Sequence, residues 1–126
     1  MKKKRLAVND IFIADIISSI NFKATNDGKL LTRNNKNGKG LLPNNKWREI
    51  GNIDRYGYLI YQPRVNGKKV RLKVHRIIYA MLCGELNPYL VVDHKNCIRS
   101  DNKPDNLELI TWYENSKRRK KIENNA

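Results

Sequence analysis

Asp93 and His94 stand side by side, Asn106 follows twelve positions later, and Asn115 nine after that. The chain has only two histidines, His75 and His94, and the second lies inside this constellation. Hydrolysis of a phosphodiester needs a water stripped of its proton and positive charge on the anion that develops. An imidazole, with an unperturbed pKa of about 6.5, can take that proton near neutral pH. The Asp93 carboxylate and the Asn115 amide oxygen are hard donors suited to Mg2+ or Mn2+. Asn106 can hydrogen-bond the backbone of a polar stretch and hold His94 in place. Taken singly, each residue has a plainer reading: a turn pair, a loop cap, a solvated helix position. Their joint order, the strand that leads into them and the charge of the chain carry the chemical reading.

The elements that must position these groups are legible from pattern. Val91-Val92 reads as a short strand running into Asp93-His94, where successive side chains point to opposite sides. One of the pair can therefore face a metal ion and the other a water. Residues 95–106 are polar and turn-rich, Leu107 to Ile110 is a second strand, and Thr111-x-x-Glu114 is a capping box opening a final helix. Asn115 falls in that helix's first turn, so a helix packed beside the strand pair would bring it near Asp93. Upstream, His75 to Cys83 reads as a helix stopped by Gly84.

Farther back, Asn9-Asp10 can cap a helix over Ile11 to Ile20 with an isoleucine stripe. Lys29 to Thr32 reads as a short strand, and residues 34–46 as a mobile loop. Three strands are expected over Trp47–Ile53, Tyr56–Gln62 and Lys68–Val74, the last two joined by an Asn66-Gly67 hairpin turn, with the middle one ending near Pro63. In the third, Val70, Leu72 and Val74 alternate with Lys69, Arg71 and Lys73, which sets three cations on one open face. The sequence offers no evident acidic partner across the ladder, so an anion should compensate them. Tyr79, Trp112 and Tyr113 are expected to pack in the core or at a hinge rather than stack on bases.

Composition points the same way. At 126 residues the chain fits one compact domain with arms. Its net charge is +14, concentrated at Lys2–Arg5 and Lys117–Lys121, yet residues 6–116 still carry 17 basic against 11 acidic side chains. A basic body with basic arms suits a polyanion, because each neutralised phosphate releases a condensed counterion. A membrane surface is not expected, since no basic amphipathic helix accompanies the charge. Two cysteines, Cys83 and Cys97, are too few for a four-cysteine zinc cluster and suggest no disulfide framework. No signal peptide and no apolar run of spanning length is evident, so a soluble, intracellular protein is expected.

From about Ile20 to Lys117 the chain resembles the HNH nucleases of phages, close to the intron-encoded homing endonucleases of that superfamily. The matching pieces are Phe22-x-x-x-x-Asp27-Gly28-Lys29-Leu30, Gly57-Tyr58, and His75-Arg76 opening a helix that ends at Gly84. Val92-Asp93-His94, Asp101-Asn102-Lys103-x-x-Asn106-Leu107 and Thr111-x-x-x-Asn115 complete the set. The resemblance implies an α+β fold: a small antiparallel sheet, a C-terminal ββα-metal motif and an N-terminal helix with basic arms. It divides the chain into an arm and helix at 1–21, a β region for DNA contact at 22–74, a nuclease core at 75–121 and a tail at 122–126.

The catalytic residues it implies are His94, activating water, and Asn106, bracing the loop. Asp93 and Asn115 would hold one Mg2+ or Mn2+, and the products would carry a 5′-phosphate and a 3′-hydroxyl. His75 would support the site or touch phosphate. Lys103 stands where relatives usually carry arginine, and Glu108 where a basic residue is frequent. Many relatives have a histidine ligand at the position of Asn115.

Double-stranded DNA is the expected partner, with no membrane and no structural zinc, and the chain acting as a monomer or homodimer. Lys69, Arg71, Lys73, Arg76, Arg99, Lys117 and Arg118 are its candidate contacts. A phage-encoded protein working in the cytoplasm of a bacterial host is implied. The rivals are a DNA-binding protein that keeps the fold without cutting, and an RNA-binding accessory protein, for which an aromatic strand pair is lacking.

Overall fold

The computed structural model describes residues 16–17, 20–36, 39–65, 67–87 and 89–125, with the side chains of 119–125 excepted. The helix at its centre, α1 (Val74–Leu82), places Val74, Ile77, Ile78 and Met81 on one stripe. Val74, Ile77 and Ile78 are fully buried. Its β-branched residues are indifferent helix formers and no side chain caps its N-terminus, so burial holds it helical. It begins one residue before the expected His75, and Cys83 and Gly84 both donate to the Tyr79 carbonyl at its end.

Around α1 lie antiparallel strands in small groups. β1 (Phe22–Ala24), β2 (Leu30–Thr32) and β3 (Arg48–Ile50) form one three-stranded sheet. β4 (Asn52–Ile53), β5 (Leu59–Tyr61) and β8 (Leu72–Lys73) form another, and β6 (Arg64–Val65) with β7 (Lys68–Lys69) a short hairpin. Leu30, Ile50 and Leu72 from these sheets join Ile77, Ile78, Val92 and Leu107 in a single apolar core. Ile16 and Ile20 join it too, and the Ile20 amide donates to the Ile16 carbonyl at 2.9 Å. The rest of the expected N-terminal helix, its Asn9-Asp10 cap and the Lys2–Arg5 run lie outside the described residues.

Three expectations are corrected. The segment expected as one strand over Trp47–Ile53 is two, because Gly51 (φ +122°) turns the chain from the β2 partner to the β5 partner. Lys68–Val74 is likewise split: β7 pairs with β6, β8 with β5, and Val74 already belongs to α1. The row of cations does have an acidic partner. Asp54 lies in the turn before β5, accepts from the Tyr56 and Tyr58 amides at 2.8 and 3.0 Å, and meets Arg71 Nη2 at 3.2 Å. An anion is therefore not required to offset Arg71. Lys69 is exposed, and Lys73 lays its ammonium 4.5 Å from the centroid of the Tyr58 ring.

Two other stretches also differ from expectation. The loop over 34–46 is fastened by an Asn34–Leu41 bridge and a tight turn at Pro43–Asn45. Trp112 and Tyr113, expected to pack, are exposed.

The C-terminal part is β9 (Leu90–His94), β10 (Leu107–Thr111) and α2 (Trp112–Asn125). The two strands pair antiparallel, with His94 opposite Leu107 and Asp93 opposite Glu108. The capping box forms as the sequence indicates. The Thr111 hydroxyl accepts from the Glu114 amide at 3.0 Å, and the Glu114 carboxylate accepts from the Thr111 amide at 3.2 Å. Replacing Thr111 by alanine removes one half of that reciprocal cap. Urea unfolding of Thr111→Ala should show a loss of about 1 kcal/mol; an unchanged midpoint would mean that packing alone sets the start of α2.

Candidate active site

β9 delivers Asp93 and His94 as its last two residues, and α2 delivers Asn115 and Arg118 one turn apart. All four border a cleft of about 230 Å³, together with Tyr58 and Arg99. Neighbours on a strand face opposite sides of the ladder, yet both Asp93 and His94 reach the cleft, which lies at the strand's end. His94 is only 4% exposed, so it meets this space through a small part of its ring.

The loop between β9 and β10 is built from amides. Asn106 accepts from the Asn96 amide through Oδ1 at 3.0 Å, and donates through Nδ2 to Asn96 Oδ1 at 2.9 Å and the Asp101 carbonyl at 2.8 Å. Its own carbonyl accepts from the Lys95 amide at 2.8 Å, next to His94. Asn106 thus ties both ends of the loop to its middle. Within the loop, Asn102 is 2% exposed and its Oδ1 lies 2.8 Å from His94 Nε2.

Asp93 and Glu108 face each other across the ladder, an arrangement that like charges disfavour. Arg118 resolves it: Nη1 pairs with the Asp93 carboxylate, and Nη2 lies 2.9 Å from Glu108 Oε1. Burial alone would lower the guanidinium's pKa, but Asp93 and Glu108 outweigh it and raise it. Glu108 therefore shares its cationic partner, Arg118, with Asp93.

On the other side, the Tyr58 ring has two cations against it, Lys73 at 4.5 Å and the Arg99 guanidinium at 4.9 Å from the centroid. Arg99 also donates to the Tyr56 carbonyl at 2.8 Å. His75 stacks on Tyr58 at 5.4 Å and sits 4.8 Å from the His94 ring, and it is 3% exposed. It packs between Tyr58 and His94 and does not border the cleft. Burial, then the neighbouring His94 and Lys73, drives its pKa well below 6.5. Burial also lowers that of His94, despite opposing contributions from the Asn102 hydrogen bond and Asp93. Both shifts favour the neutral ring.

The remaining candidates fall elsewhere. Arg76 is partly buried on α1, where burial brings its guanidinium to about 10, and it does not border the cleft. Lys117 is exposed over the Tyr113 ring at 5.2 Å. Lys69 ends β7 and Arg71 lies between β7 and β8, and neither borders the cleft. Sequence reasoning missed Tyr58 and Asn102 as site residues. Cys97, also on the cleft, and Cys83 are free thiols. No helix among the described residues is long and apolar enough to cross a membrane.

Residues 72–117 match the family model described as HNH endonuclease. The resemblance read from the Asp93-His94, Asn106 and Asn115 pattern thus holds for this segment, which carries the HNH endonuclease signature. Among solved structures, the fold is similar to that described as DNA binding and cleavage by the HNH homing endonuclease I-HmuI. The TM-score is 0.60 at 24% identity, over 81% of this chain and 53% of the other. The chain therefore spans about half the length of that relative. No curated protein matches.

Histidine ring protons followed by NMR against pH should show His94 titrating with a midpoint below 6.5 and His75 lower still. A midpoint at or above 6.5 for His94 would mean that burial does not dominate its environment.

Proposed function

We propose that this chain is a metal-dependent DNA endonuclease. The observation that carries the reading is the convergence of Asp93, His94 and Asn115, from a strand end and a capped helix, on one small cleft rimmed by Arg99 and Arg118. His94 is the general base: in the neutral form that burial favours, it accepts the proton of the attacking water. Asn106 keeps the loop behind it closed. Arg99 offers guanidinium donors to phosphate oxygens at the cleft's edge.

Asp93 and Asn115 would hold one divalent ion. Among the described residues, no group of three or more His, Cys, Asp or Glu side chains could hold a metal. The fit rests instead on donor chemistry: one carboxylate and one amide oxygen border the same cleft. Mg2+ commonly takes only one or two protein carboxylates and completes its shell with water and phosphate oxygens, so this sparse pair suits it or Mn2+. When bound, such an ion supplies Lewis-acid stabilisation of charge on the phosphate and the leaving oxygen. Asp93 is held by Arg118, so the two cations share one carboxylate and the guanidinium must yield part of it.

Double-stranded DNA is the proposed substrate. The cleft selects no sequence; Lys69 and its neighbours Arg71 and Lys73, with Lys117, lie outside it and would grip the backbone or reach base edges. Neutralising Lys69, Arg71 and Lys73 together should flatten the dependence of binding on salt by up to about three in log–log slope. Unchanged salt dependence would remove this face from the contact surface.

Supercoiled plasmid incubated with the protein should be nicked or linearised with Mg2+ or Mn2+ and left intact with chelator. His94→Ala should still bind DNA and lose about 100-fold or more in rate. Because burial lowers the pKa of His94, protonation should cut the rate only as pH falls below 6.5. Binding without cutting by the unaltered protein, in every divalent metal tried, would identify it as a DNA-binding protein that keeps the fold.

A further inference from the structure

Asn102 is among the most deeply buried polar side chains of the protein, and only one end of its amide is used. Oδ1 meets His94 Nε2 at 2.8 Å, while Nδ2 is buried without a partner among the described residues. Leaving one amide end buried and unpaired is unfavourable, so the contact made by the other end is the residue's principal polar interaction. A carbonyl oxygen can only accept, so the ring nitrogen facing it carries the proton. A neutral imidazole has one N–H, which leaves the lone pair on Nδ1. Asn102 does not border the cleft and His94 does, so Nε2 is turned into the loop and Nδ1 is the nitrogen available to the cleft.

A second observation shows how Asn102 is seated. The turn before β2 is closed by Gly28 donating to the Thr25 carbonyl and Thr25 to that of Lys29, both at 3.0 Å. At Gly28 (φ +86°) a Cβ would lie 2.6 Å from the Lys103 nitrogen and 2.7 Å from the Asn102 carbonyl carbon. Both are backbone atoms that cannot swing aside. Only glycine lets this turn press on the backbone of Asn102, so a segment far from the cleft in sequence backs the residue that holds His94.

We infer that Asn102, seated against Gly28, is a positioning residue that fixes His94 as its Nε2–H tautomer and so makes Nδ1 the proton acceptor. The role of acceptor rests on the endonuclease reading; the tautomer is a property of the protein alone. Long-range 1H–15N correlation of the His94 ring, at about pH 8 without metal or DNA, reads it directly. The Nε2–H pattern is expected in the unaltered protein and in Asn102→Asp, which keeps an acceptor oxygen.

Asn102→Ala should give a mixture of tautomers and a kcat on plasmid about 100-fold lower, with KM within about two-fold. Gly28→Ala should give the same pattern in milder form, and Asn102→Asp should recover most of the rate. An Nδ1–H ring in the unaltered protein overturns the proposal, as does an Asn102→Ala protein with unchanged tautomer and kcat. Should Asn102→Ala fail to fold by circular dichroism, Asn102→Asp and Gly28→Ala still decide it. An Nε2–H ring in a protein that cuts nothing leaves the tautomer standing and removes the endonuclease reading.

Discussion

The register of β9 against β10 fixes nearly everything that matters at the cleft. Five consecutive pairs, from Leu90–Thr111 to His94–Leu107, set which residues face the core and which face Arg118. Val92 and Leu107 are buried on the core face, while Ile110 is buried on the opposite face, the one that carries Asp93 and Glu108. A slip of one residue would carry the core-facing set to the other face and take Asp93 away from Glu108. Because β10 ends at Thr111 and that residue caps α2 without an intervening loop, the ladder also determines where Asn115 and Arg118 stand. The amide network of Asn96, Asp101 and Asn106 closes the other end. Chain continuity therefore transmits one strand pairing to four functional side chains.

Burial and charge compete within a few ångströms of that ladder, and their balance differs from group to group. For the two imidazoles desolvation prevails, since neither has a carboxylate in hydrogen-bond contact, and the neutral ring is favoured in each. For Arg118 the nearby carboxylates prevail and its charge is reinforced. Lys73 has its ammonium pKa lowered by burial and by Arg71 and Arg99, with Asp54 opposing. The outcome is an imidazole whose neutral form is favoured, beside a carboxylate paired with Arg118.

What could be read from sequence was local. The Thr111–Glu114 box, the strand into Asp93-His94 and the helix after Lys73 depend on neighbours within a few residues, and they formed where expected. The split around Val70 was hidden because apolar alternation continues through Val70, Leu72 and Val74 while the backbone changes partner. Asp54 was overlooked as the mate of Arg71 because it comes from a turn, not from a paired strand position. Asn102 stood in one of the matching stretches and still received no role, for a different reason. In an asparagine-rich chain one amide looks like another, and its value lies in a contact with His94 and in a close approach by Gly28 that only the tertiary fold creates. Asn106, four residues on, was legible because it closes the loop at a strand boundary.

The size of the cleft constrains what the proposed reaction can discriminate. At about 230 Å³ it lies below the roughly 300–1,000 Å³ of pockets that enclose whole small ligands. Its lining offers a carboxylate, an amide, a neutral ring and guanidinium groups, which suits one phosphate group with its attacking water and leaves no room to enclose a base. A substrate cut here must lie mostly outside, against surfaces such as the one carrying Lys69 and Arg71. The chemistry of the cut and the choice of where to cut then reside in different parts of the fold. Tyr58 links the two regions, since it borders the cleft with Arg99 and carries the Lys73 ammonium 4.5 Å from its ring centroid.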